Sequence, residues 1–330
     1  MTLTRKQTVA ALLLAALLFG FTLLNASWLA PTPDGESKLI AHRGVYHLYD
    51  KRAAVGRDTC TARFIDEPDH YIFENTPASI RQAFRQGADM VEIDVAPTKD
   101  GQMVLFHDWT VDCRTNGKGN TRDLTLAELK ALDIGYGYTA DGGKTYPLRG
   151  HGVGLMPTVA EGLEASPDRP LLFNFKSKNP KEAEQLFAII KASGRDSEKL
   201  GDAFYGAQGP VNRIRQLAPK NWAFTLKGEA TKCTRDYATF GWTGLIPESC
   251  RNSVLAIPIN YQWIMWGWPN RLIARMESVG AKVIVFWPYE SGKSNEGLTG
   301  AQQLVDIPGS FNGYIWVEDI SAIGPALKGK

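Results

Sequence analysis

Cysteine is scarce in this chain and never closely spaced: Cys60, Cys113, Cys233 and Cys250 are the four in 330 residues, and no two form a CxxC pair. That spacing argues against a structural zinc site and against a redox dithiol. An excess of charge of one sign is missing too. Lys+Arg 37 against Asp+Glu 35 leaves a formal +2, with no basic cluster, so nothing points to nucleic acid as a partner. No internal repeat and no low-complexity tract appears, which rules out a repeat array. Nothing in the sequence points to a protein partner. With 44% hydrophobic and 22% charged residues the composition is that of a globular protein.

The amino terminus is distinctive. Arg5 and Lys6 precede an uncharged run from Thr8 to Leu24, in the arrangement of an export signal or a membrane anchor. The small-residue pattern for cleavage around Leu24, Asn25 and Ala26 is weak, so signal and anchor both stay open. The leading positive charge predicts a cytoplasmic N-terminus, with everything after residue 30 exported to the periplasmic or extracytoplasmic side. Residues 1–30 are therefore read as signal or anchor, and 38–330 as one catalytic-size domain. An even number of cysteines suits export. Of three possible pairings we prefer Cys60 with Cys113 and Cys233 with Cys250; the alternative is buried free thiols.

Beyond the linker-like "PTPDGESK", short Val/Ile/Phe-rich runs alternate with amphipathic stretches, the rhythm of an α/β fold with parallel strands. The strand candidates are "KLIAHRG", "DMVEIDV", "PLLFNFK", "DAFYGA", "WAFTLK", "VLAIPINY", "AKVIVFW" and "GYIWVED". Eight strands with helices between them predict a closed (β/α)8 barrel, with a doubly wound open sheet as the alternative. One run departs from the rhythm. "VEIDVAPTKDGQMVLFHD" holds two β-like segments around Asp100-Gly101, which predicts a hairpin arm projecting at the barrel mouth. A tight two-residue turn would set Lys99 opposite Gln102 and Asp94 opposite His107, with Pro97 on an edge.

Strand alternation sends Glu92 and Asp94 to one face of "VEIDV", and Asn174 and Lys176 to one face of "LLFNFK". Two inward carboxylates repel one another and call for a proton or a cation; a hard divalent ion, Ca²⁺ or Mg²⁺, suits oxygen donors. Lys176 in an apolar strand calls for an anion, either those carboxylates or a ligand phosphate. His42 and His107 each end a β segment, where an acid/base pair would sit. His47, His70 and His151 fall in loop-like sequence and receive no role. "YQWIMWGWPN" gathers Tyr261, Trp263, Trp266 and Trp268, for which loop packing is the simpler reading and contact with substrate or lipid the other.

These residues also carry a resemblance. "HRG" (His42 to Gly44), "ENT" (Glu74 to Thr76), "GADMVEIDV", "TKDGQMVLFHD", "RTNGKG" followed by "LTLAELKALD", and "FNFK" together resemble the glycerophosphodiester phosphodiesterases, from Ile40 to about Lys176. Trp287 is a modest further match. The resemblance implies a TIM barrel that hydrolyses a glycerol phosphodiester to glycerol 3-phosphate and an alcohol with Ca²⁺ or Mg²⁺. It implies His42 as general base and His107 as general acid, Arg43 and Lys176 on the phosphate, and Glu92 and Asp94 on the metal. Glu74 and Asn75 would shape the site floor.

Two departures stand out. Asn174 occupies a position where the family usually has a carboxylate, which leaves two charged metal ligands and predicts weaker or altered metal dependence. The segment from Val45 to Phe73 is longer than usual and must cross the mouth. Cys60 joined to Cys113 would tie this lid to the catalytic arm, for substrate selection or as a staple. Two alternatives remain: phospholipase D-type hydrolysis of lysophospholipid or sphingomyelin on the same barrel, with the apolar N-terminus attaching the protein to a membrane, and a non-catalytic phosphate-binding protein.

Overall fold

The computed structural model describes residues 4–49, 59–290 and 297–329; the stretch 50–58, in the middle of the expected lid, lies outside them. All eight expected runs are parallel strands: β1 (Lys38–Ala41), β2 (Met90–Pro97), β4 (Leu171–Phe175), β5 (Ala203–Gly206), β6 (Trp222–Phe224), β7 (Val254–Pro258), β8 (Lys282–Phe286) and β9 (Tyr314–Val317). The antiparallel return of the hairpin is β3 (Met103–Leu105). Ten α-helices accompany them among the described residues: α1 (Arg5–Asn25), α2 (Pro77–Arg85), α3 (Leu126–Lys130), α4 (Val159–Glu164), α5 (Lys181–Ala192), α6 (Ser197–Leu200), α7 (Gln208–Leu217), α8 (Thr231–Phe240), α9 (Asn270–Ser278) and α10 (Ile320–Lys328).

The strands pair in the order β6-β5-β4-β2-β1-β9-β8-β7, a nearly closed barrel and not a doubly wound sheet. No strand ladder joins β6 to β7 among the described residues. At that seam Thr234 of α8 serves the edge of β7, its Oγ1 accepting from Ala256 N at 2.9 Å and donating to Ala256 O at 2.9 Å. Both expected disulfides are present: Cys233 to Cys250, from α8 to the approach of β7, and Cys60 to Cys113.

Alternation along the strands divides the core. Val91, Ile93 and Val95 of β2 and Leu171, Phe173 and Phe175 of β4 pack outward against the helices. Ile40, Met90, Leu172, Ala203, Tyr205 and Phe224 fill the lumen. Helix α2 starts where Thr76 accepts from Ser79 N and Pro77 presets the first turn. The amphipathic stretch "GLTGAQQLVDI" forms a 3-10 turn, Ala301–Asp306, and not a full helix, because Gln303 folds back to accept from Thr299 N and Gly300 N and Pro308 follows closely.

The hairpin register differs from the expectation by one residue. Val95 pairs with Leu105 and Pro97 with Met103, so Asp94 lies opposite Phe106 and not His107. The cause is a three-residue turn. Thr98 and Gln102 close it through two bonds, Thr98 N to Gln102 O and Gln102 N to Thr98 Oγ1, and Gly101 takes the left-handed conformation at φ 78°. The returning strand is covered: Met103, Val104 and Leu105 are buried, and Leu105 N donates to Pro157 O at 2.9 Å.

Candidate active site

The site lies at the C-terminal ends of β1, β2, β4, β5 and β9. β1 ends at Ala41, and the ladder continues one residue as His42 N donates to Val317 O. The chain then turns sharply. Arg43 sits at φ 55° and Gly44 at φ 75°, where a Cβ on Gly44 would come within 2.2 Å of Ser79 Oγ. Ser79 Oγ locks the turn by donating to Arg43 O and accepting from Val45 N.

His42 Nδ1 is 2.7 Å from Glu318 Oε2, and its Nε2 accepts from Arg43 Nε at 3.2 Å. These partners fix the tautomer with the proton on Nδ1 and the lone pair on Nε2, facing the site. Burial acts to lower the His42 pKa, but the Glu318 carboxylate outweighs it and the net shift is upward. Tyr46 OH donates to the same Glu318 oxygen, and Gly297 N holds Oε1 at 2.7 Å.

Glu92 and Asp94 are fully buried on the lumen face, as alternation predicts. Glu92 accepts from Arg43 N at 3.0 Å and from Tyr205 OH at 2.7 Å. Asp94 accepts from Asn75 Nδ2 at 3.0 Å and Asn174 Nδ2 at 2.8 Å, with Lys176 Nζ at 3.4 Å and Arg43 Nε at 3.5 Å. Asn75, at φ 60°, also accepts from Asp94 N, so it clamps that residue from both sides. Burial, then repulsion from Asp94, raises the Glu92 pKa to about 7. Burial pushes Asp94 the same way, but Lys176, His107 and Arg43 overcome it and hold its pKa below the usual carboxylate range.

His107 joins through a chain of ion pairs. Its Nδ1 is 2.7 Å from Asp108 Oδ1; Arg114 bonds Asp108 Oδ2 at 2.9 Å and Glu74 Oε2 at 3.1 Å; Glu74 Oε1 meets Arg43 Nη1 at 3.1 Å. Burial, then Arg43 and Lys176, lowers the His107 pKa to about 4. Arg114 Nη2 also donates to Thr61 Oγ1, next to the Cys60–Cys113 bridge, so the described end of the lid is tied to the residues that orient His107.

Every residue singled out in the sequence for the site therefore lies in one network, including Glu74 and Asn75. Glu318, Tyr205, Tyr46, Asp108 and Arg114 are the members that the sequence reading did not single out. Glu318 follows β9 two residues after the lumen-facing Trp316, so the alternation that found Glu92 and Asp94 carried the signal. Asp108 directly follows His107. His47 is buried and stacks on His70 at 4.3 Å, and His151 lies against Tyr71. Of the aromatic run, Trp266 and Trp268 pack, against Phe21 and Phe311, while Trp263 is exposed.

No group of three or more His, Cys, Asp or Glu suited to a metal occurs among the described residues. The smaller donor set is of the oxygen type that a hard divalent cation takes: two buried carboxylates on one face, one with its pKa raised by burial and by the other carboxylate, and the amide of Asn174 beside them.

A nearly closed parallel eightfold barrel with cations, carboxylates and two histidines gathered at the strand ends is a TIM barrel with a charged site at its C-terminal mouth. Residues 42–193, just under half of the chain, match the glycerophosphoryl diester phosphodiesterase family. A glycerophosphodiester phosphodiesterase from Caldanaerobacter subterraneus subsp. tengcongensis is 40% identical over 151 residues, 44% of this chain and 58% of the relative. Human glycerophosphodiester phosphodiesterase 1 is 35% identical over 140 residues, 39% of this chain and 34% of the relative. The matches thus span less than two thirds of these relatives' length.

Among solved structures, a glycerophosphodiester phosphodiesterase from Agrobacterium tumefaciens superposes with TM-score 0.57 at 18% identity, covering 89% of this chain and 100% of the other. An Oleispira antarctica phosphodiesterase in complex with the product sn-glycerol-3-phosphate gives 0.55 at 20% identity, covering 89% and 97%. At these identities the likeness establishes the fold.

Proposed function

We propose that this chain hydrolyses glycerophosphodiesters to glycerol 3-phosphate and an alcohol. The observation that carries the reading is the meeting of Arg43 and Lys176 over the buried pair Glu92 and Asp94, with His42 and His107 in the same network. The sn-glycerol-3-phosphate held by the Oleispira antarctica phosphodiesterase supports that product.

In this reading a phosphodiester monoanion is held by Arg43 and Lys176. His42, with Nδ1–H fixed on Glu318, takes a proton from the attacking hydroxyl on Nε2, once the Arg43 Nε–H that this lone pair accepts in the free site has turned to the phosphate. His107 gives a proton to the leaving alkoxide. Neutral in the free site, it gains basicity as the bound phosphate offsets Arg43 and Lys176, two of the groups that depress it, so its protonation is linked to substrate. Glu92, Asp94 and Asn174 would hold Ca²⁺ or Mg²⁺, which supplies charge opposite the phosphoryl oxygens when bound. The described end of the lid, linked through Thr61 and Arg114 to Asp108, is suited to selecting the alcohol.

The test is release of glycerol 3-phosphate and choline from glycerophosphocholine by the full chain with added Ca²⁺ or Mg²⁺, with lysophosphatidylcholine in parallel. Turnover of the first substrate, falling roughly 10²–10⁴-fold in His107→Ala, is the expected result. Choline release from lysophosphatidylcholine alone would assign the chain to the phospholipase D-type reaction, and phosphate binding without turnover would overturn the hydrolase.

A further inference from the structure

Helix α1 spans 21 residues with none buried, is uncharged after Arg5 and Lys6, and its 18-residue window reaches a mean hydropathy of 2.1. At 1.5 Å per residue it is about 31 Å long, the thickness of a bilayer's hydrocarbon core. What sets it apart from a loosely attached leader is the seat built for its C-terminal end. Leu24 O accepts from Arg275 Nη2 at 2.7 Å, Asn25 Nδ2 donates to Trp242 O at 2.7 Å, and Ala26 O accepts from Arg271 Nε at 3.1 Å. Ser27 Oγ then accepts from Asn270 N at 3.0 Å, and Phe21 meets Trp266 edge-on at 5.8 Å.

The electrostatics agree. The last turn of α1 has no basic residue of its own, so Arg275 of α9 brings the cation to the carbonyl end, the favourable sign for the helix dipole. Arg275 is itself fixed, through Tyr237 OH at 2.9 Å and Gly241 O at 3.1 Å. A signal peptidase needs the Ala26–Ser27 region extended and free. Here Ala26 is buried and both residues are bonded to the barrel.

Around this seat the surface is apolar. Trp28, Phe240, Trp242 and Leu245 are 48–77% exposed, on the two segments that flank the helix end. Large apolar side chains clustered on an exposed surface mark an interaction site, and tryptophans concentrate at membrane–water interfaces. We propose that α1 is retained as a membrane span and that this flank of the barrel, the end of α8, α9 and residues 27–29, rests on the bilayer with Trp28, Phe240, Trp242 and Leu245 at headgroup level. The partner is a lipid surface because the element that projects from the patch is itself of spanning length and, past its first two residues, uncharged and predominantly apolar. The inference does not depend on which ester the site hydrolyses.

All four cysteines are in disulfides, so an introduced thiol can be labelled selectively. The full chain carrying Leu245→Cys, Trp28→Cys or, as a control on α6, Glu198→Cys would be labelled with an environment-sensitive dye and reconstituted into phosphatidylcholine vesicles. A headgroup-level nitroxide lipid is expected to quench residue 245 and residue 28 several-fold more than 198, and the mass of membrane-extracted protein is expected to include α1. Lack of selective quenching at both 245 and 28, or a mature chain beginning at Ser27, would overturn the proposal.

Discussion

Asp94 has a donor on each of its oxygens, and each comes from a different part of the fold: Asn75 after the lid, and Asn174 and Lys176 at the end of β4. That crowding explains why Asn174 matters. It donates an N–H where a carboxylate would repel Asp94, so the free site is settled at the expense of ligand charge. Asn174→Glu should therefore raise the affinity for Ca²⁺ or Mg²⁺ roughly tenfold or more, measured by titrating metal against turnover. Unchanged affinity would remove Asn174 from the donor set. The inward-facing half of this network was legible because alternation on a strand is a strong constraint, and it placed Glu92, Asp94, Asn174 and Lys176 together. Arg114 and Asp108 were not legible. They sit in a loop, where no period relates sequence to direction, and their role depends on an ion-pair chain that only folding assembles.

The elements show a similar split. Eight strands could be read from their composition and rhythm, but the hairpin register could not, because Thr98, not the Asp-Gly pair alone, sets the turn length. The lid carries its own consequence. His47 is buried against His70, with Asp69, Glu74 and Arg114 nearby, and burial followed by His70 lowers its pKa to about 4. An unfolded chain takes up that proton near the ordinary histidine value of about 6.5, so the stabilising effect is full above that pH and is lost as pH falls toward about 4. At about 1.4 kcal/mol per unit, stability should drop by about 2 kcal/mol between about pH 6.5 and about pH 5. The expected outcome in urea unfolding is that His47→Phe flattens this part of the profile. An unaltered slope would mean that the lid histidine is protonated in the native state.

At the scale of the whole molecule, strand ladders among the described residues hold the barrel everywhere except between β6 and β7. The Cys233–Cys250 bridge, which closes 17 residues beside that seam, should contribute about 3 kcal/mol by loop entropy. Its replacement by serines is expected to lower the denaturant midpoint accordingly, with hydrogen exchange accelerating first in β7; uniform acceleration over all strands would separate the bridge from the seam. An unladdered strand is also a template. A row of free N–H and C=O groups on a regular edge invites another chain to add a strand, the first step toward swapped dimers and fibrils. By occupying both backbone groups of Ala256, Thr234 denies an incoming strand its central pair of bonds. One hydroxyl thus caps the open edge of a barrel that does not quite close.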